Sequence, residues 1–347
     1  MNKQHGANIY DYDNYCDLLD YSSNLNPLGI PEFKNSIDIF DKKYSRYPDA
    51  LSRKLVQKLS YYENVAKDHI YIGSGANDLI FRMFLAIRPR KTLLIAPSFS
   101  EYEKGAKLVD SECIYYYLDV NNHFKLLPDF LNIITNEIDF IVLCNPNNPT
   151  GNIIDRELLE AIIKKCNKHQ YIMVDECFID FLNDSDKYSV KKLVNNNSNL
   201  IVLKAFTKFY AMAGYRIGYC FVNNSKLISK VIESGNYWPV CSISQEIAFR
   251  VLEIEDYVEK SKSLIKNERA FLENELKKLG LTVYDGLANY ILFRYDKEFN
   301  LKAKLLKHNI LIRSCDNYKG LDESFYRIAV KNRSDNQKFI SCLKKSI

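Results

Sequence analysis

The sequence predicts an α/β fold: a large domain on a mainly parallel sheet, followed by a smaller α+β domain. Two observations carry this reading. Between about residues 70 and 225, apolar runs of strand length alternate with longer amphipathic stretches. From about Ser244 onward, a long charged segment of helical period gives way to three further apolar runs. At 347 residues, 47% hydrophobic and 26% charged, the chain is long enough for a large buried core and about two domains.

The elements follow in order. Residues 1–35, rich in Asn, Gly and Pro, read as an arm beside the second domain. Residues 36–245 form the large domain, with strands expected at 70–72, 92–95, 140–143, 171–174, 200–203 and 217–222 and helices between them, among them 79–86 and 156–168. Residues 246–347 form the small domain, with one long helix over 246–279 and strands at 290–293, 310–312 and 326–330. In such a sheet, ligands bind just beyond strand ends, in a cleft between the domains.

Several function classes are disfavoured. The segment Met1 to Asn8 has no apolar core of signal-peptide length, and no stretch approaches the roughly 20 apolar residues of a membrane span, so a cytoplasmic location without a membrane partner is expected. Nine scattered cysteines with no C-x-x-C pair fit neither a disulfide framework nor a zinc site; reduced thiols and no metal are expected. The net charge of +5 is spread among interleaved acids, giving no nucleic-acid footprint but remaining compatible with an anionic substrate.

Four strand-end motifs carry chemistry. Gly73-Ser74-Gly75-Ala76-Asn77-Asp78 opens a helix and suits either a plain turn or backbone N–H groups around an anion. Asn145-Pro146-Asn147-Asn148-Pro149-Thr150-Gly151 reads as a rigid turn after a buried strand. Asp175 ends the next strand, where an unpaired carboxylate would be costly, so it needs a partner. Lys208 follows another strand, with Arg216 eight residues on; an amine for an aldehyde and a guanidinium for a phosphate are what pyridoxal 5′-phosphate (PLP) requires.

Taken in order with Ser98-Phe99-Ser100-Glu101-Tyr102, these motifs resemble the fold-type I PLP-dependent enzymes, the aspartate aminotransferase superfamily, over nearly the whole chain. The resemblance implies a seven-stranded sheet. Within the superfamily, Arg46-Tyr47-Pro48 and the Asn145 to Gly151 turn are similar to histidinol-phosphate aminotransferases. His5-Gly6-Ala7-Asn8, Tyr21 to Gly29, Asp175 to Phe181 and Leu311 to Leu321 look more like the threonine-phosphate decarboxylases of cobalamin biosynthesis. Phe178 stands where the aminotransferases usually carry a tyrosine.

The resemblance implies roles. Lys208 holds the cofactor covalently, Asp175 pairs with its pyridinium, Asn148 bonds the ring oxygen and Phe99 stacks on the ring. Thr207, Arg216 and the backbone at Gly75, Ala76 and Asn77 hold the phosphate, and Tyr47 reaches the site of a neighbouring subunit, which implies a homodimer. His5, Asn8, Asn24 and Asn148 meet the substrate, with Arg313, Arg327 and Arg333 for its anionic groups. Ala205 replaces a hydroxyl residue and Ala7 a glycine of the relatives' motifs.

The reaction implied is decarboxylation of O-phosphothreonine, with transamination or decarboxylation of O-phosphoserine as alternatives. A noncatalytic PLP-binding protein would not need both Lys208 and Asp175.

Overall fold

Seven strands form one sheet in the computed structural model, which describes residues 5–13, 15–33, 37–38, 40–297 and 300–347. In chain order they are β1 (Ile70–Gly73), β2 (Lys91–Ala96), β3 (Glu112–Tyr117), β4 (Phe140–Cys144), β5 (Tyr171–Asp175), β6 (Leu200–Ala205) and β7 (Gly218–Val222). The spatial order is β1-β7-β6-β5-β4-β2-β3, parallel except where β7 runs against β1 and β6. β4 and β6 are buried at every position because helices cover both faces, so they read as continuous apolar runs. β3, unforeseen in the sequence, is the sheet's half-exposed edge; its Glu-Cys-Ile-Tyr-Tyr-Tyr run lacks that signature.

A second, antiparallel sheet lies in the C-terminal part. It comprises β8 (Thr282–Val283), β9 (Tyr290–Arg294), β10 (Arg313–Ser314) and β11 (Phe325–Ala329), in the order β10-β11-β9-β8. The helix expected over 246–279 is two helices, Ser242–Val251 and Glu255–Lys278. Ile254 leaves the helical region (φ −94°, ψ 88°), and Glu255 and Asp256 then favour a new N-terminus.

The N-terminal segment is stitched to this part of the molecule. Leu19 and Asp20 pair in parallel with Ile310 and Leu311, and Tyr21 O accepts from Ala329 N at 2.9 Å. The expected boundary between residues 35 and 36 lies outside the described residues. Among the described residues, no helix is long and apolar enough to cross a membrane. All nine cysteines are free thiols.

Candidate active site

Strand ends and loops enclose a cavity of about 300 Å³, and Lys208, Asp175, Asn148, Arg216 and Arg327 all line it. Lys208 is delivered by a short helical turn, Phe206–Phe209, directly after β6. Its amine lies 5.8 Å from the centre of the Phe178 ring. Burial, then the positive charge of Arg327, push this amine down to about 8, with Arg216 adding to the effect and Cys177 and Asp175 opposing it. A lysine in that range supplies a neutral nucleophile far more readily than an exposed one.

Asp175 ends β5 and is 5% exposed. Its two oxygens accept from Tyr102 Oη at 2.7 Å and from the Cys177 N–H at 3.0 Å. Burial and the Asp175 charge push the Tyr102 hydroxyl well above its usual range, so it stays a donor. No ion pair among the described residues includes Asp175. A buried anion supported only by a hydroxyl and an amide suits a cationic ligand such as a protonated ring nitrogen.

The corner between β1 and the helix that follows depends on two glycines. Helix α1 (Gly75–Ile87) starts beyond β1, and its Ala76 and Asn77 line the cavity. Gly75 adopts φ +84°, and a Cβ there would stand 3.0 Å from Arg216 Nη2. A Cβ on Gly218 would lie 2.8 Å from Ala76 N, so only glycine lets β7 approach the start of α1 this closely. Arg216, exposed and at φ 49°, donates from Nη1 to Ala213 O at 3.2 Å while lining the cavity. Thr207 and Ala205 line the same wall.

The turn at 145–151 is held by its own bonds. Ile154 N–H donates to Asn145 Oδ1 at 2.9 Å, and Asn147 Nδ2 donates to Pro97 O and Thr150 Oγ1, both at 3.0 Å. It presents Asn148, whose Oδ1 accepts from Arg327 Nη1 and from Tyr318 Oη. Phe99 forms the opposite wall, edge-on to Tyr102 with centroids 5.7 Å apart.

Arg327 on β11 is 5% exposed. Besides Asn148, it meets Tyr318 Oη at 3.5 Å and donates to Ser22 O at 2.7 Å. It has no carboxylate partner among the described residues. Asn24, 2% exposed, also lines the cavity, and both its Oδ1 and that of Asn77 are buried without a hydrogen-bond partner. Such orphaned amide ends call for a polar ligand. The glycine cradle, Asp175, the Lys208 amine and these amides together fit PLP.

Other expected residues lie elsewhere. His5 is at the cavity rim, whereas Asn8 and Arg313 line a small adjoining cleft; there Asn8 donates to Asp11 Oδ2 at 3.0 Å and Arg313 to Asn317 Oδ1 at 2.6 Å. Tyr47 is 79% exposed and stacks on Trp238 with centroids 4.4 Å apart, away from the cavity of its own chain. Arg333 is not brought to the cavity: its half-exposed side chain donates from Nε to both oxygens of the buried Glu268, at 2.9 and 3.1 Å. Sequence reasoning assigned no role to Tyr102, Cys177, Tyr318 or Ser22, although each sits inside one of the motifs that carry the resemblance.

The family profile described as "Aminotransferase class I and II" matches residues 36–343. The threonine-phosphate decarboxylase of Salmonella typhimurium is 32% identical, covering 99% of this chain and 96% of that one. Among solved structures, the histidinol-phosphate aminotransferase of Clostridium acetobutylicum superposes with a TM-score of 0.88 at 36% identity, over 94% of this chain and 98% of that one. The L-threonine-O-3-phosphate decarboxylase of Porphyromonas gingivalis gives 0.77 at 25% identity, over 87% and 90%.

Proposed function

Because the chain belongs to the class I and II aminotransferase family, with PLP as its cofactor, we propose that it decarboxylates L-threonine O-3-phosphate to 1-aminopropan-2-ol O-2-phosphate, a step of cobalamin biosynthesis. The observation that carries this reading is the state of Arg327. Its Nη1 and Nη2 already donate to neutral oxygens, those of Asn148, Tyr318 and Ser22, while Nε is buried without a partner. A substrate carboxylate there is oriented but lightly held. Decarboxylation disperses the carboxylate's charge, so a tight pair would stabilise the ground state more than the transition state.

When bound, PLP withdraws electrons and stabilises negative charge at the substrate Cα. The chain's residues do the rest. Asp175, fixed by Tyr102, would keep a bound ring nitrogen protonated, and Arg327 would orient the substrate carboxylate. The carboxylate leaves as carbon dioxide, and the Lys208 ammonium returns one proton to Cα. Phe178 has no hydroxyl to offer a bound ring, so Asn148 Nδ2 would be the donor to its oxygen.

Residues 1–35, 36–245 and 246–347 would then act as arm, cofactor domain and substrate domain. Tyr47 would reach the partner's cofactor phosphate in a homodimer. The exposed aromatic group Tyr47, Tyr237 and Trp238 supports such an interface. A fully active monomer in sedimentation would contradict it.

The second reading is an aminotransferase acting on histidinol phosphate, favoured by the higher likeness to the Clostridium acetobutylicum structure. Incubating the PLP-loaded protein with O-phosphothreonine, with and without 2-oxoglutarate, separates the two. Carbon dioxide release without 2-oxoglutarate is expected; glutamate without carbon dioxide would sink the decarboxylase reading.

A further inference from the structure

One acid in the cavity wall has no part in the reaction above. Glu101 opens helix α2 (Glu101–Leu108), is 5% exposed and lines the cavity. Its Oε1 accepts from His5 Nε2 at 2.7 Å and from Lys104 Nζ at 2.6 Å. The two nitrogens stand 3.3 Å apart. A carboxylate only accepts, so His5 Nε2 carries its proton towards Glu101 and cannot also accept from Lys104. Two donors this close need the anion between them. Burial raises the Glu101 carboxyl, but the bonds from His5 and Lys104 outweigh it and hold the group down at about 2, so it is ionised at working pH.

Behind His5, the chain lies flat on Ser22. A Cβ on Gly6 would fall 2.3 Å from Ser22 O, and Ala7 N–H donates to Ser22 Oγ at 2.8 Å. Ser22 O is also an acceptor for Arg327. The route from Glu101 through His5 and Ser22 therefore ends on the guanidinium deepest in the cavity.

We propose that Glu101 is a positioning residue: it docks the N-terminal arm across the cavity mouth and aims His5 at the substrate's second anionic group. This rests on reading the cavity as the site of a substrate with two anionic groups, a carboxylate and a phosphate. The substrate's anionic group then meets a His5 ring already held in place, and binding requires no new ordering of the arm.

The test uses the full-length, PLP-loaded protein. Glu101→Gln should raise KM for O-phosphothreonine about tenfold, the loss of one partly exposed charge-assisted contact, while kcat stays within about twofold. Glu101→Asp should recover most of the loss. His5→Ala should raise KM similarly, and the double variant no further, because the two residues share one task. Independently of turnover, the His5 ring resonance, identified by its loss in His5→Ala, should move in Glu101→Gln. An unmoved resonance, or KM effects that multiply in the double variant, would overturn the proposal. If wild-type protein does not turn over O-phosphothreonine by either route, the substrate reading fails, and the resonance alone still decides whether Glu101 docks the arm.

Discussion

Capture of PLP by the cofactor-free protein should titrate with the Lys208 amine. An amine titrating at about 8 instead of 10.5 leaves about 300 times more neutral nucleophile at pH 7. The second-order capture rate, followed by stopped-flow absorbance, is therefore expected to rise with pH and level off above about 8. Arg327 is the largest charge contribution to this lowering. Arg327→Gln should move the inflection upward by about one pH unit and slow capture at pH 7 about tenfold, whereas Arg327→Lys, which keeps the charge, should stay near the wild-type profile. The same shift has a stability consequence. The native state holds fewer protons on this group than the unfolded chain between about 8 and 10.5, so Lys208 contributes stability that increases as pH rises through that window. A wild-type inflection above 10, or identical profiles for wild type and Arg327→Gln, would refute the reasoning.

Three further outcomes are expected. Gly75→Ala places a Cβ against Arg216 at a left-handed φ, which costs about 1–2 kcal/mol before any contact is lost; PLP affinity by absorbance titration should fall at least tenfold, and an unchanged affinity counts against the cradle. Lys204→Met removes the cation between Glu63 Oε1 and Asp180 Oδ1, each 2.7 Å away in a buried cluster, and should destabilise the protein by about 3–5 kcal/mol in urea unfolding. A loss below about 1 kcal/mol would show that Lys191 alone can neutralise Glu63. Ala7→Gly should relieve about 1 kcal/mol of strain at φ 64° and lower KM two- to threefold; a higher KM would mean that stiffness of the arm matters more than its strain.

The parts of the molecule legible from sequence were those in which burial leaves a local trace. β4, β5 and β6 are apolar runs because helices cover both faces, and Asp175 and Lys208 stand out because each is an ionisable residue closing such a run. β3 escaped notice because an edge strand keeps one side in water and here carries tyrosines. The break after Val251 left no glycine or proline to mark it. Arg333 illustrates the limit for side chains: its partner Glu268 is 65 positions earlier, on a different helix, and nothing in the local sequence records that distance. Tyr102 likewise acquires its role only when α2 is laid beside the end of β5.

The pairing of Leu19 and Asp20 with Ile310 and Leu311 makes the cavity's roof a single mechanical part. His5, Asn24 and Arg327 belong to segments joined by backbone ladders and by Ser22, while Lys208, Asp175 and Arg216 stand on the seven-stranded sheet. A rotation of the C-terminal sheet would therefore carry Asn24 and Arg327 together, while His5 stays tied to Glu101 on α2. Admission of a ligand and alignment of its carboxylate are then one movement, not two.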